Sequence, residues 1–356
     1  MRAARRLAAL PRRTYLILSA SLIQKACCIL ANQVAPRHRQ QHTTAHPLAY
    51  DWLDVFTDTP CGGNPLAVVY GAEGLPDAAL QKIAREFNLS ETTFVLPPAD
   101  PAHTARVRIF TSTAELPFAG HPNVGTACAL RLRGSVFGRP LDDLLLFEEV
   151  SGVVRVALLP GGAAQLAAPM PFVLSAPGAG VPVGHAGECL GLGPRQLKSS
   201  EGRVASLGGS AYTLVEVADR SALQQCAPDF GAIGRTPPGK VLAWTRAAGA
   251  GGEGGGGASD ADLFSRMFTA RGSEDAATGA ANCCLLAMLA VEQHGGGAGR
   301  GAGRLARRIV QGVEMGRPSL LLGECEYDVE GVPTAVRIAG ASVLLMSGSL
   351  RGELFL

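Results

Sequence analysis

The chain has 356 residues, 47% hydrophobic and only 17% charged, which excludes a disordered protein and suffices to bury one large or two medium cores. The net charge of +2 hides an asymmetry: residues 1–50 hold eight basic residues and no Asp or Glu, leaving 24 basic against 30 acidic residues in the remainder. The body is therefore mildly acidic and lacks the basic stripe a nucleic-acid surface requires.

The positive segment, 1–48, reads as a leader. Arg2, Arg5, Arg6, Arg12 and Arg13 precede an apolar stretch that Gln24-Lys25 interrupts, so neither apolar piece reaches the roughly 20 residues needed to span a bilayer. Basic and free of acid, it resembles an organelle transit peptide, which implies a mitochondrion or plastid, with the cytoplasm otherwise. A secretory signal, a membrane anchor and a disordered extension are the alternative readings. No stable membrane insertion is expected once the leader is removed. The nine cysteines form no CxxC pair and the seven histidines no HExxH site, so the chain reads as reduced and free of metal.

Beyond the leader, short strands are expected over 53–56 and 66–70. Pro76 and Asp77 open a helix with Leu80, Ile83, Ala84 and Phe87 on one face. Strands at 91–96 and 105–110 follow. Gly120-His121-Pro122 makes a turn, with Pro122 suited to the first turn of an apolar helix that ends near Gly134. A hairpin is expected over 144–158, and the Pro/Gly/Ala-rich passage 160–184 is the expected boundary between an N-terminal lobe, 50–165, and a C-terminal lobe, 170–350.

The second lobe restarts with a short helix near Leu190 and Leu197, a strand at 211–217, a helix from Ser221 and a strand at 241–245. Two glycine-rich runs, 247–258 and 295–303, lack the apolar content to repay ordering and are expected as flexible insertions. Strand 263–268, a polar turn and the apolar helix 280–291 come next, and strands are expected at 309–313, 318–322, 332–338 and 342–346. Phe110-turn-Gly120-His-Pro-Asn is echoed by Phe268-turn-Gly279-Ala-Ala-Asn. The expected fold is therefore α+β, with two pseudo-symmetric lobes, each wrapping mixed strands around a central helix whose N-terminus faces a shared cleft.

Such helix ends carry unpaired N–H groups and partial positive charge, and Gly120, Gly279 and Ala280 are small enough to let a carboxylate reach them. Glu91 opens a strand in an apolar passage, where partial burial would raise its pKa and suit it to move a proton. Taken singly, Glu91 reads also as a surface carboxylate, His121 as a satisfied structural histidine and Asp275 as a turn or N-cap residue. Glu115, Cys61 and His185 read as structural or exposed.

Several motifs in order resemble the PhzF-like phenazine-biosynthesis family. They are Thr57-Asp-Thr-Pro-Cys-Gly-Gly-Asn64-Pro-Leu-Ala-Val-Val, Ile83-Ala-Arg-Glu-Phe-Asn-Leu-Ser-Glu91-Thr-Thr-Phe-Val and Glu115-Leu-Pro-Phe-Ala-Gly120-His121-Pro. Glu274-Asp275-Ala-Ala-Thr-Gly279-Ala280, Gln311-Gly-Val-Glu-Met-Gly-Arg-Pro-Ser and Gly340-Ala-Ser-Val-Leu-Leu-Met-Ser-Gly complete the set. The resemblance implies a diaminopimelate epimerase-like fold, a homodimer, and isomerisation of a small carboxylate without a cofactor. It also implies that Glu91 is the proton-shuttling acid and that His121 and Asp275 are catalytic, with Asn64, Gly120, Gly279 and Ala280 as substrate-binding residues. Related epimerases and racemases carry cysteines where this chain has His121 and Asp275, which disfavours a two-thiol racemase. The family pattern Glu-Asp-Pro-Ala-Thr-Gly-Ser is altered here at Ala276 and Ala280, removing one hydroxyl from the expected carboxylate seat. An epimerase or dehydratase on the same fold, or a non-catalytic binding protein, are the other readings.

Overall fold

A computed structural model describes residues 46–247, 261–294 and 301–351. The leader up to residue 45, and the glycine-rich runs except for residues 247 and 301–303, lie outside the described residues.

The first half contains strands β1 (Leu48–Val55) and β2 (Asn64–Tyr70), helix α1 (Asp77–Phe87), and strands β3 (Glu91–Leu96), β4 (Ala105–Phe110) and β5 (Glu115–Leu116). Helix α2 (Gly120–Arg133) follows, with a small hairpin of β6 (Ser135–Val136) and β7 (Arg139–Pro140) and then β8 (Leu144–Glu149), β9 (Gly152–Leu158) and β10 (Ala164–Ala167). The second half contains β11 (Phe172–Leu174), β12 (Val181–Pro182), α3 (Val183–Leu190), β13 (Glu201–Leu207), β14 (Ser210–Glu216), α4 (Arg220–Gln224) and α5 (Phe230–Arg235). It continues through β15 (Lys240–Arg246), β16 (Leu263–Thr269), β17 (Ser273–Asp275), α6 (Gly279–His294), β18 (Gly303–Gln311), β19 (Ser319–Tyr327), β20 (Pro333–Gly340) and β21 (Ser342–Leu350).

Strand pairing repeats between the halves. β1–β2 is antiparallel, β2–β3 parallel, β3–β4 antiparallel, β4–β8 parallel, and β8–β9 and β9–β10 antiparallel. The order β13–β14, β14–β15, β15–β16, β16–β18, β18–β19, β19–β20 follows the same sequence of senses. Each set encloses a helix that is apolar all round rather than on one stripe. In α2 every residue from Gly120 to Leu130 is buried, and in α6 nearly all from Gly279 to Ala290. A helix of that composition is stable only when surrounded, which is why the strands wrap it.

The halves join where β10 pairs antiparallel with β20, placing Leu166 opposite Ile338. One continuous core runs across that junction, from Leu53, Phe147 and Val156 to Leu286, Ile309 and Val336.

Four features differ from the sequence expectation. The expected second lobe ran to residue 350, but β21 crosses back and pairs along its length with β1. Strand β13 was not expected; its Gly202 depresses the strand signal, yet a side chain there would meet Thr213 Cγ2 at 2.8 Å. The strand expected over 309–313 runs instead from Gly303 to Gln311, because Gly312 turns with φ +79° into a 3-10 turn, Val313–Met315. Leu197 lies beyond the helix expected around it and instead bridges Val217.

Candidate active site

The two buried helices meet end to end. A Cβ built on Gly120 would lie 3.2 Å from both the Ala280 nitrogen and Gly279 Cα, so any side chain there would crowd the start of α6 and glycine lets the N-termini of α2 and α6 approach this closely. Neither helix has an acidic residue in its first turn, which leaves the partial positive charge of both ends uncompensated by their own sequence.

Around this junction the polar side chains connect across the halves. Asn64, at the start of β2, donates from Nδ2 to Asp275 Oδ1 at 2.8 Å and to the Ala277 carbonyl at 3.0 Å, and lies 3.3 Å from His121 Nδ1. Arg317, from the second half, holds the turn ahead of Asn64: it donates to the Gly62 and Gly63 carbonyls at 2.7 and 2.8 Å and pairs with Asp54. Asp275 Oδ2 accepts from Thr278 Oγ1 at 2.5 Å, and Gln311 Nε2 donates to the Asp275 carbonyl at 2.8 Å. These contacts fix Asp275 in one rotamer and turn it toward the first half.

On the other side of His121, its Nε2 lies 3.5 Å from Glu91 Oε2 and has no hydrogen-bond partner. By distance this is a salt bridge, but the electrostatics say otherwise. Burial, with the negative charge of Asp275 second, pushes the Glu91 carboxyl up to about 8, against the opposing pull of Arg271 and Lys240. Burial also depresses His121 to about 3, outweighing a favourable contact with the Pro65 backbone. Near neutral pH the pair is a carboxylic acid facing a neutral imidazole, not an ion pair. Asp275 is raised by burial as well, although the bonds from Thr278 and Asn64 oppose the shift.

Exposure separates the roles these groups can take. The Glu91 side chain keeps 17% of its surface exposed and His121 only 5%, so the carboxyl can be reached while the imidazole lies behind it. A reachable acid with a pKa near neutrality can both take and return a proton.

All seven residues singled out in the sequence, Glu91, His121, Asp275, Asn64, Gly120, Gly279 and Ala280, fall in this one contiguous cluster. The Ala280 backbone nitrogen lies against Gly120 at the junction. The residues set aside are accounted for elsewhere. Glu115 accepts two bonds from Arg108, His185 bonds Thr236 and Glu188, and exposed Cys61 binds Asp54 through its backbone nitrogen. A separate cavity of about 610 Å³ beside Gly193, Arg195 and Asp219 contains none of the cluster. Among the described residues, no group of three or more His, Cys, Asp or Glu side chains gathers as metal ligands would.

Sequence reasoning missed Lys240, Arg271 and Tyr212. The two cations act on Glu91 through space, and buried Tyr212 feels the charges of both Asp275 and Glu91. The pseudo-symmetry itself was the available signal. Thr92 lies opposite Phe110 in β3–β4, and Val241 lies opposite Phe268 in β15–β16. Lys240 thus occupies in the second half the position that Glu91 holds in the first.

Residues 53–348 match the phenazine biosynthesis-like protein family. An uncharacterized isomerase of Mesorhizobium japonicum is 36% identical over 319 residues, covering 85% of this chain and 98% of the relative. The trans-2,3-dihydro-3-hydroxyanthranilate isomerase of Pseudomonas fluorescens is 36% identical over 306 residues, again covering 85% and 98%. Among solved structures, a PhzF-family phenazine biosynthesis protein of Bacillus anthracis shares the fold with a TM-score of 0.72 at 23% identity, covering 86% of this chain and 99% of that one. The chain belongs to the phenazine biosynthesis-like family, has the α+β architecture of its epimerase-like relatives, and is an enzyme of the isomerase–epimerase type.

Proposed function

We propose that the protein is a cofactor-independent isomerase that moves a proton on a small cyclic or unsaturated carboxylic acid. One observation carries the reading: a reachable carboxyl with its pKa raised to about 8 faces a neutral imidazole at the junction of two helix N-termini. The substrate carboxylate would sit on the backbone donors at Gly120 and at Gly279–Ala280, where no lysine or arginine is needed to hold it. Glu91, as carboxylate, would remove a proton from a carbon made acidic by conjugation and return it at another carbon on the same face. His121 and Asp275 would orient the substrate, and Asn64 would couple them.

The Pseudomonas fluorescens relative, a trans-2,3-dihydro-3-hydroxyanthranilate isomerase, supports this reaction class. The sign of the pH dependence follows. Because the base is the deprotonated form, kcat/KM should rise with pH through a midpoint near pH 8 and level off above it, whereas His121 contributes no limb above pH 4.

An epimerase is the second reading, favoured by one observation: Glu91 and Asp275 come from different halves and both have raised pKa values, as a two-base mechanism would use. Turnover of a panel of small unsaturated acids in deuterated water separates the two. Deuterium at a new position with a shifted double bond supports the isomerase, and inversion at one labelled carbon supports the epimerase. A Glu91→Gln enzyme that turns over its substrate as fast as the parent would reject both. The assembly belonging to this reading is a homodimer, which sedimentation of the full chain checks.

A further inference from the structure

We propose that Lys240 recognises a second anionic group on the substrate, so that the substrate class is small diacids rather than monoacids. The proposal deepens the isomerase reading above and rests on it.

The first observation is position. Lys240 opens β15 as Glu91 opens β3, and the two strands run equivalently in their halves, so both residues border the junction where α2 and α6 meet. The loop before it is pinned on both sides. The Gly239 nitrogen donates to the Thr236 carbonyl at 2.6 Å, and the Gly239 carbonyl accepts from Ala270 at 2.8 Å. The stem of the lysine is therefore held at a fixed place on the rim.

The second observation is that its charge has no anionic partner. The Lys240 side chain is partly buried, yet among the described residues it makes no hydrogen bond or ion pair; its Nζ lies over the Tyr212 ring, 5.0 Å from the centroid. Every other partly or fully buried Lys or Arg among the described residues has a carboxylate or carbonyl partner. Arg108 has Glu115, Arg131 has Leu159, Arg203 has Ser175, Arg220 has Glu314 and Arg266 has Glu274. Arg307, Arg317 and Arg337 are likewise partnered. Withdrawing an ammonium from water without a counter-charge is unfavourable, so such a site is best explained by an anion that arrives with a ligand.

The third observation excludes the nearest internal anion. Glu91 feels Lys240 through space, but the two are not within ion-pair distance, and the Glu91 carboxyl stays raised despite that cation. Lys240 is therefore not its counter-ion. Exposed Arg271, on the turn before Asp275, adds a second positive charge acting on the same place and has no partner of its own. The helix ends would seat one carboxylate, and Lys240 opens a strand separate from both helices. A ligand meeting both needs an acidic group at each end.

Calorimetric titration of the full chain with benzoate and with isophthalate, which differ by one carboxylate, tests this. The parent should bind isophthalate about tenfold or more tighter than benzoate, the range expected of one charge-assisted hydrogen bond. Lys240→Met and Lys240→Gln should bring that ratio to about one while benzoate affinity stays within about twofold, and Lys240→Arg should keep the preference. A parent without the preference, or neutral variants that retain it, would overturn the proposal while benzoate binding leaves the isomerase reading standing. If benzoate itself fails to bind, the carboxylate seat and the isomerase reading fall together with it.

Discussion

The two halves of this enzyme share a frame and differ at the positions that carry charge. In both, an arginine on the strand before the turn sits over a phenylalanine two residues on: Arg108 lies 5.1 Å from the Phe110 ring and Arg266 5.0 Å from that of Phe268. In both, that arginine grips a glutamate on the facing short strand with two nitrogens, Glu115 and Glu274 respectively. In both, an asparagine in the first helical turn donates back to a carbonyl four residues earlier, Asn123 to Ala119 and Asn282 to Thr278. The repeated parts make the scaffold. The proposed chemistry enters where the copies diverge: Glu91 against Lys240, His121 against Ala280, and Asp275 where the first half has Leu116.

The sharpest way to break the equivalence is to neutralise the two strand-opening residues. Glu91→Gln should lower kcat by about a thousandfold with little change in KM, the scale of losing a positioned general base. Lys240→Met should do the reverse, raising KM about tenfold with kcat nearly unchanged. Equal losses of kcat in both would show that the halves had not divided the labour. Next in size is the link between the halves. Asn64→Ala removes the donor shared by Asp275 and the Ala277 carbonyl and should cost about ten- to a hundredfold in kcat/KM, read from steady-state kinetics.

The scaffold arginines should differ in stability. Arg266 is the more enclosed and also donates to the Leu223, Gln224 and Cys226 carbonyls, so Arg266→Ala removes the partner of Glu274 and a donor shared by three carbonyls. Chemical denaturation should show a loss of about 3–5 kcal/mol, against about 1–2 kcal/mol for Arg108→Ala, whose Glu115 retains more solvent.

The smallest effect expected is at Glu149, which ends β8 as Gln311 ends β18. Gln311 is fully bonded, whereas the Glu149 oxygens have only Asn123 nearby, without a well-formed hydrogen bond, and burial outweighs its pull and pushes the carboxyl up to about 8. The folded state therefore holds a proton that the unfolded chain releases near its ordinary value of 4.5. Stability from this group is full below that value and is lost as pH rises toward 8. Glu149→Gln should raise Tm by a few degrees at pH 9 and leave it unchanged at pH 4.

Much of this was legible in the sequence, because the apolar helices and their glycine starts are local signals. The echo of Gly120-His-Pro-Asn in Gly279-Ala-Ala-Asn predicted two helix ends facing one another, and Glu91, His121 and Asp275 do gather there. Local signals fail where long-range pairing decides. The pairing of β21 with β1 depends on residues almost 300 positions apart, and β13 is a strand despite its glycine because Thr213 and Val215 pack over it. Lys240 was missed for a related reason. A lysine at a strand start looks solvated until the internal repeat is aligned strand by strand, which only the register provides.

The most direct test of the account is the protonation of Glu91 itself. A carbon-13 titration of the glutamate side-chain carboxyls, with the Glu91 resonance identified by its loss in Glu91→Gln, reads it without a known substrate. The account predicts a midpoint near pH 8. A midpoint near the ordinary 4.5 would mean that the junction holds a solvated carboxylate, and the proton-moving pair proposed here would not exist.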